Sequence, residues 1–268
     1  MIKKIEFTKM VASGNDFVVI KSEPESVSLK KLAREICDRK FGVGADGLLV
    51  LSRISPDTIR MRIFNSDGSE AQMCGNGSRC AALYTGKKDI KIKTLAGIIM
   101  AKVNADNVKV RLSKPKDLKL GIPIKVSGRS LAVNFINTGV PHTVIFVEGI
   151  EKINVQEIGR EIRRHKKFLP AGTNVDFVEI LSKDSLRIRT YERGVEDETL
   201  ACGTGSVAAA LIFALKTHSV LPKINMHTKS GEILKVYFKK DGLKFSEAWL
   251  EGKAKIVYRG EYLCLKAR

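Results

Sequence analysis

Apolar and polar residues alternate along much of the chain, and this pattern predicts many short strands interrupted by a few helices. Strands are predicted at residues 5–12, 16–20, 48–51, 59–64, 90–94, 97–103, 108–112, 131–136, 143–147, 175–180, 186–191, 224–227, 232–238 and 254–258. Helices are predicted at residues 29–37 (capped by Ser28), around Arg79–Leu83, at residues 155–165, and from Cys202 to about Lys216. This mixture predicts an α+β fold.

The two halves of the sequence repeat each other. Glu70–Ser78 is similar to Glu198–Ser206, which lies 128 residues later. Upstream of each, Arg62–Phe64 resembles Arg189–Tyr191. Weaker matches join residues 14–18 to residues 172–178, and Thr94 and Gly97 to Thr228 and Gly231. A repeat that keeps its order predicts two similar, pseudo-symmetric domains, with the active site in the cleft between them.

Each repeat carries one cysteine directly before a Gly-x-Gly sequence and a helix. These cysteines are Cys74 and Cys202. At a helix N-terminus, backbone N–H groups and the helix dipole favour a thiolate. Two such thiols on opposite faces of a substrate could remove one proton and deliver another, which inverts a stereocentre. The alternative for either cysteine alone is a small buried side chain that packs as a hydrophobe.

The length of 268 residues is typical of two domains. The polar, proline-containing stretch Lys114–Asp117 is the predicted boundary. We therefore expect an N-terminal domain at residues 1–117, carrying Cys74, and a C-terminal domain at residues 118–254, carrying Cys202. The last strand, residues 255–268, is predicted to return to the first domain.

Cellular location is predicted from what the sequence does not contain. No apolar run is long enough to cross a bilayer, and no apolar segment follows the charges of Met1–Glu6. The count of five cysteines is odd, which argues against a disulfide framework. We expect a cytoplasmic protein that binds no membrane.

The formal net charge of +18 raises the alternative of a nucleic-acid or anionic-surface binder. The basic residues are spread along the chain, although Arg160–Lys167 is dense in them. No aromatic pattern or zinc-finger spacing accompanies them. A solvated basic surface is therefore the favoured interpretation, and we expect no nucleic-acid partner.

Other motifs argue against cofactor chemistry. Gly42–Gly47 matches G-x-G-x-x-G, but it follows a helix and leads into a strand, the reverse of a dinucleotide site. Cys74 and Cys80 lack the spacing of common zinc sites. His142, in a loop, is either structural or a base for a cysteine nucleophile. We expect no metal and no cofactor.

Taken together, the motifs resemble the diaminopimelate epimerase family over nearly the whole chain. They are Ser13–Phe17, Cys37–Arg39, Gly42–Gly47, Asn65–Ser69, Met73–Gly77, Gly139–His142, Gly172–Asn174, Tyr191–Gly194 and Ala201–Gly205. The resemblance implies two domains, each a mixed or antiparallel sheet wrapped around a central helix. It implies an isomerase that converts LL- to meso-diaminopimelate without a cofactor, in lysine and peptidoglycan precursor biosynthesis. It also implies a homodimer.

The resemblance also implies the roles of individual residues. Cys74 and Cys202 would be the acid/base pair, assisted by Glu192 and His142. The substrate contacts would be Asn15, Asn65, Gly75, Asn76, Asn174, Glu192, Arg193, Gly203 and Thr204. An arginine suits a carboxylate, and asparagine and glutamate suit an ammonium group.

Departures from the family pattern leave alternatives open. Val140 stands where family members often have asparagine, and Gly47 cannot supply a polar side chain. These differences concern contacts to the distal end of the substrate, so a racemase acting on another amino acid is an alternative. A further hypothesis is that Cys74 and Cys202 form a disulfide when oxidised, which requires Cα atoms within about 7 Å.

Overall fold

The computed structural model describes residues 2–24 and 27–265. Its strands are β1 (Ile2–Ala12), β2 (Asn15–Lys21), β3 (Gly47–Ser55), β4 (Thr58–Asn65), β5 (Glu70–Ala71), β6 (Asp89–Thr94), β7 (Gly97–Asn104), β8 (Asn107–Arg111), β9 (Lys116–Val126), β10 (Arg129–Asn137), β11 (Pro141–Phe146), β12 (Asn174–Ser182), β13 (Ser185–Glu192), β14 (Asp197–Thr199), β15 (Lys223–His227), β16 (Ile233–Asp241), β17 (Lys244–Lys253) and β18 (Lys255–Leu265). The helices are α1 (Leu29–Cys37), α2 (Gly75–Tyr84), α3 (Val155–Arg163) and α4 (Gly203–Lys216), with short 3₁₀ turns at Ile150–Lys152 and Lys166–Phe168.

The chain divides into two compact units. The first comprises Met1–Val110 and Gly252–Arg268, and the second comprises Arg111–Glu251. The domain bounds of 1–117 and 118–254 stay a prediction. Residue 1 of the predicted first domain and residues 266–268 of the predicted last strand lie outside the described residues.

The first unit is a mixed sheet around α2. β1 pairs antiparallel with β18 and β2, and β2 pairs parallel with β3. β3 pairs antiparallel with β4, which is antiparallel to β5 and parallel to β6. β6, β7 and β8 continue as an antiparallel meander. Helix α2 contacts β1–β4, β6, β7 and β18, and Asn76–Ala82 are buried.

The second unit repeats this order around α4. β9, β10 and β11 are antiparallel neighbours, and β11 pairs parallel with β12. β12 pairs antiparallel with β13, which is antiparallel to β14 and parallel to β15. β15, β16 and β17 form the closing meander. Helix α4 is buried from Gly203 to Leu215, because it is apolar on every side. The prediction of a sheet wrapped around a central helix is confirmed in each unit.

The remaining helices cover the outer faces of the sheets. The apolar side of α1, with Leu32 and Ile36, packs with Val18 and Leu48 in the first core. Cys37 belongs to the same core, as its helical spacing predicts, and burial raises the pKa of its thiol to about 12. In the second unit α3 packs against β12 and β13.

The predicted strands and helices are present, but four strands were not predicted: the short β5 and β14, and the longer β9 and β17. β9 begins inside the polar stretch that was interpreted as a boundary, and of its residues only Ile124 and Val126 are buried. Because the rest of β9 faces solvent at least in part, its sequence lacks a strong apolar pattern. In β17, Phe245, Ala248 and Leu250 are buried, and the residues between them are partly or fully exposed.

One sequence match between the halves is wrong. The match of residues 14–18 to residues 172–178 aligns β2 with β12. By pairing, however, β2 corresponds to β11, because each is the parallel partner of the strand that follows the outer helix. Phe17 pairs with Gly47 as His142 pairs with Asn174, so the fold places His142 at the position of Phe17.

None of the helices within residues 2–24 and 27–265 combines the length and the apolar character needed to cross a lipid bilayer.

Candidate active site

Cys74 is the N-cap residue of α2. Its backbone is extended, with φ −141° and ψ 123°, and the N–H of Gly77 donates to its sulfur at 3.4 Å. The N–H and hydroxyl of Ser78 both donate to its carbonyl oxygen, each at 2.8 Å. The half-buried thiol therefore lies where the helix N–H groups are directed.

A buried arginine links the start of α2 to the loop between β1 and β2. The Arg79 side chain is 0 % exposed and donates from Nη2 to Asn76 Oδ1 and to Ser13 Oγ, each at 2.6 Å. Its Nη1 donates to the carbonyl of Lys253 at 3.1 Å. Asn76 in turn donates from Nδ2 to Asn15 Oδ1. Two predicted substrate contacts, Asn15 and Asn76, are thus held together.

Charged residues support Asn15 from the other side. Asn15 Nδ2 donates to Asp46 Oδ2 at 3.0 Å, and Arg39 bridges Asp46 (2.7 Å) and Asp16 (2.8 Å). The buried Lys9 pairs with Asp16 at 2.7 Å. Burial raises the pKa of Asp16, but hydrogen bonds from Arg39 and Lys9 outweigh it and lower that pKa to about 2.

Asn65 lies at the exposed end of β4. Its Nδ2 donates to Ser69 Oγ at 2.9 Å. The role of Asn65 as a substrate contact stays a prediction.

Cys202 is the N-cap residue of α4, in the position that Cys74 has on α2. Its backbone is extended, with φ −112° and ψ 112°. The N–H and hydroxyl of Ser206 donate to its carbonyl, each at 2.9 Å, as Ser78 does in the first unit. The thiol is buried, and Sγ lies 3.4 Å from the hydroxyl of Thr204.

Thr204 connects Cys202 to a buried polar chain. His142 Nε2 lies 2.9 Å from Thr204 Oγ1, and His142 Nδ1 lies 2.7 Å from Asp176 Oδ2. The hydroxyl of Thr190 donates to Asp176 Oδ1 at 2.8 Å. His142 and Asp176 are each 0 % exposed. His142 is therefore fixed in position, and the Thr204 hydroxyl lies between its ring and the Cys202 thiol.

Cys202 is held as a thiol in this environment. Burial raises its pKa well above the ordinary value, and the carboxylates of Glu192 and Asp176 raise it further. Burial also raises the pKa of Glu192, at the end of β13. Cys202 therefore suits the role of proton donor at neutral pH.

Asn174 and Arg193 are joined to each other. The Asn174 side chain accepts from the Arg193 N–H at 2.8 Å and donates to the carbonyl of Pro141 at 2.9 Å. Arg193 Nη1 donates to the carbonyl of Ala171 at 3.1 Å. The remaining predicted contacts are backbone groups of the first helical turns, where N–H groups lack intrahelical partners: Gly75 and Asn76 on α2, and Gly203 and Thr204 on α4.

Four residues of this site are not among those expected from the sequence: Arg79, Asp46, Asp176 and Thr190. One signal was available for Asp176, because it is a lone carboxylate within the apolar run from Val175 to Val178. A charged residue in such a strand is buried only with partners.

Within the two described ranges, no group of three or more His, Cys, Asp and Glu residues is arranged to hold a metal ion. The expectation that the protein uses no metal and no cofactor stays a prediction.

Structural comparison supports the fold. A crystal structure of a Bacillus anthracis phenazine biosynthesis protein of the PhzF family is similar with a TM-score of 0.75 and 18% identity, covering 98% of this chain and 100% of that chain. A probable proline racemase from Agrobacterium radiobacter K84 is similar with a TM-score of 0.70 and 16% identity, covering 96% and 92%. At these identities the likeness shows the two-repeat fold alone.

Sequence comparison places the chain in a family. The model of the family described as diaminopimelate epimerase matches residues 7–117 and 134–257. A diaminopimelate epimerase of Aquifex aeolicus is 44% identical, covering 96% of this chain and 97% of that protein. One of Caldanaerobacter subterraneus is 40% identical, covering 96% and 99%. The protein therefore belongs to the diaminopimelate epimerase family, as its motifs and its two cysteine-capped helices lead us to expect.

Proposed function

We propose that the protein is an isomerase that inverts the α-carbon of LL-diaminopimelate to give meso-diaminopimelate. The reaction serves lysine and peptidoglycan precursor biosynthesis and needs no cofactor. The observation that carries the proposal is the placement of Cys74 and Cys202, each at the N-cap of its unit's buried helix, in a chain of this family.

In this proposal the two cysteines exchange roles with the direction of the reaction. In one direction the Cys74 thiolate removes the α-proton and the Cys202 thiol delivers a proton to the opposite face. The reverse direction uses the opposite protonation states. Support comes from the raised pKa of Cys202 and from the Gly77 N–H, which points at the Cys74 sulfur and stabilises negative charge there. General acid–base groups of this kind contribute about 10²–10⁴-fold each.

Removal of the α-proton places negative charge on the substrate carboxylate. The N–H groups of the first helical turns, at Gly75, Asn76, Gly203 and Thr204, are the donors proposed to stabilise it. Such groups are fixed by the helices before the substrate binds, so no reorganisation is needed when the charge develops.

The other predicted residues are proposed to hold the substrate. Arg193 suits a carboxylate, and its backbone is fixed by Asn174. Glu192 suits an ammonium group, and so do the amide oxygens of Asn15 and Asn65. Polar demands of this kind at both ends of a substrate discriminate against shorter amino acids.

A single incubation tests the proposal. The protein is incubated with LL-diaminopimelate in D₂O. The products are separated by chiral chromatography, and their deuterium content is measured by mass spectrometry. We expect meso-diaminopimelate with deuterium at the inverted α-carbon. Absence of both the meso product and deuterium would contradict the proposal. Turnover of a different amino acid in a parallel panel would favour the racemase alternative that Val140 raises.

We also propose that the protein works as a homodimer in the cytoplasm and binds neither nucleic acid nor membrane. Light scattering after size-exclusion chromatography tests the dimer, since a monomer mass at working concentration would contradict it. A DNA affinity that falls steeply with salt, without turnover of any amino acid, would favour the nucleic-acid alternative.

A further inference from the structure

The two units provide an internal comparison for the polar chain behind Cys202. In the first unit Leu49 pairs with Ile63, and in the second unit Asp176 pairs with Thr190. These two pairs occupy equivalent positions in the two sheets. Phe17 corresponds in the same way to His142. Phe17, Leu49 and Ile63 are buried, with at most 4 % exposure. The fold therefore accepts apolar side chains at all three positions.

The polar residues of the second unit are consequently not required to build this fold. Burying a polar group without hydrogen-bond partners is unfavourable, and burying a charge without a partner is more unfavourable still. His142, Asp176 and Thr190 satisfy one another, but the apolar alternative in the first unit needs no such compensation. A buried network kept in only one of two equivalent positions indicates a role beyond packing.

The start of α4 is also shaped around Asp176. A Cβ at Gly205 would lie 2.3 Å from Asp176 Oδ1, far inside van der Waals contact. At the equivalent Gly77, a Cβ would meet Leu49 Cδ2 at 3.2 Å. The glycine at position 205 thus admits the carboxylate beneath the helix N-terminus, close to Cys202.

The hydrogen bonds give the chain a direction. Asp176 Oδ1 accepts from Thr190, and Oδ2 lies 2.7 Å from His142 Nδ1. An ionised carboxylate only accepts, so Nδ1 carries a proton. The other ring nitrogen, Nε2, faces Thr204 Oγ1 at 2.9 Å and can accept a hydrogen bond from its hydroxyl.

We propose that the Thr204 hydroxyl and Asp176 act with His142 as a proton relay that takes up the thiol proton when Cys202 serves as the base. This inference rests on the two-cysteine function proposed above. Asp176 is a positioning residue that acts through His142, and the Thr204 hydroxyl carries the proton between sulfur and imidazole.

The transfer is balanced within the relay. Before it, the Cys202 S–H donates to Thr204 Oγ1, and the Thr204 O–H donates to neutral His142 Nε2. The S–H bond breaks as its proton bonds to Thr204 Oγ1, while the former hydroxyl proton bonds to His142 Nε2. Thr204 again carries one proton and donates to the thiolate. The products are a thiolate and an imidazolium, the latter paired with Asp176.

The relay answers a problem of charge. The titratable groups acting around Cys202 include His142 on β11, Asp176 on β12 and Glu192 on β13. Release of the thiol proton to water would add a further negative charge beside Asp176 and Glu192. Keeping the proton on His142 leaves the net charge of the cluster unchanged, so ionisation of Cys202 costs less.

Kinetics with Thr204→Val and Thr204→Ser test the relay. We expect Thr204→Val to lower kcat/KM near pH 7 by about 100-fold or more, the range of general acid–base catalysis. The deficit should shrink as pH rises to about 10, because hydroxide then takes the proton in place of the relay. Thr204→Ser keeps the hydroxyl and should restore activity. An equal deficit at every pH, or full activity of Thr204→Val, would overturn the relay.

A variant that copies the first unit separates this role from folding. His142→Phe, Asp176→Leu and Thr190→Ile together install the apolar set that the first unit carries. We expect a thermal midpoint equal to or above that of the wild type, with inversion reduced by about 100-fold or more. Wild-type inversion rates in this folded variant would overturn the proposal. If this variant does not fold, the comparison of Thr204→Val with Thr204→Ser still tests the relay.

A substrate-free measurement distinguishes failure of the relay from failure of the proposed function. With ¹⁵N-histidine in the whole chain, we expect His142 near pH 7 to show one protonated ring nitrogen, Nδ1. Two protonated nitrogens there would overturn the relay whatever the enzyme catalyses. A wild-type protein that fails to invert diaminopimelate, with the expected histidine signal, would overturn only the proposed function.

Discussion

Arg189 and Glu198 form a two-point ion pair, with Nε to Oε1 at 2.7 Å and Nη2 to Oε2 at 2.9 Å. The first unit contains the same pair at the same distances, between Arg62 and Glu70. Each pair ties a long strand to the short strand that directly precedes the cysteine-capped helix. Both units therefore have the same ion pair next to the cysteine-capped helix, although the buried residues packed against that helix differ between them.

Loss of this two-point geometry should destabilise the second unit. In Arg189→Lys the ammonium group cannot replace both bonds to Glu198, nor the two further bonds from Nη1 to the carbonyls of Ile150 and Ile153. We expect the free energy of unfolding to fall by about 1–3 kcal/mol, measured by urea denaturation. Lys4→Gln, which removes an exposed pair with Glu261, is the control and should cost less than about 1 kcal/mol. Equal effects of the two substitutions would contradict this account.

Each cysteine at a helix start should be indispensable for inversion. Cys74→Ser and Cys202→Ser should each reduce the rate of meso product formation by at least about 10²-fold. Cys80→Ala is the matched control, because Cys80 lies on α2 but is buried in the core. That variant should lose only about 1 kcal/mol of stability and keep its kcat. Wild-type rates in either serine variant would refute the two-base scheme.

Alanine at the equivalent glycines should affect the two units differently. Gly205→Ala places a Cβ against Asp176 and should lower stability by about 1–3 kcal/mol, as overpacking does. In Gly77→Ala the neighbour is the tip of Leu49, which needs to move by only a few tenths of an ångström. The better helix propensity of alanine, about 1 kcal/mol, should offset that cost. Thermal unfolding of both variants measures the two losses of stability. A larger loss in Gly77→Ala than in Gly205→Ala would contradict this prediction.

Asp16 should contribute to stability in a defined pH range. Its pKa is about 2 in the folded protein, against an ordinary value of 3.8, so folding favours the ionised form. The contribution is therefore complete above about pH 4 and is lost as pH falls towards about 2. We expect Asp16→Asn to be less stable than wild type near pH 6 and to approach it in acid, in denaturation curves across that range. A stability difference that does not vary with pH would show that Asp16 acts by its shape alone.

Much of the fold was predictable because the responsible signals are local. Helical spacing in α1 and α3, alternation in the strands, and the sequence match between the halves all act within short stretches. β9 was missed because most of its residues face solvent, where polarity carries no strand signal. The match of β2 to β12 was wrong because a similar short motif begins both strands, and only the pairing separates them.

Some residues of the candidate site were likewise predictable from local sequence, and others were not. The sequence alone determined the two cysteines and their helix starts, because a Gly-x-Gly before a helix-forming run fixes the local backbone. It also determined family membership, since the motifs are short and retain their order. The partners of these residues depend on tertiary structure: Arg79 behind Asn76, and Asp176 behind His142. Strand register brings such residues together across long separations, and no local pattern encodes which buried polar groups will satisfy one another.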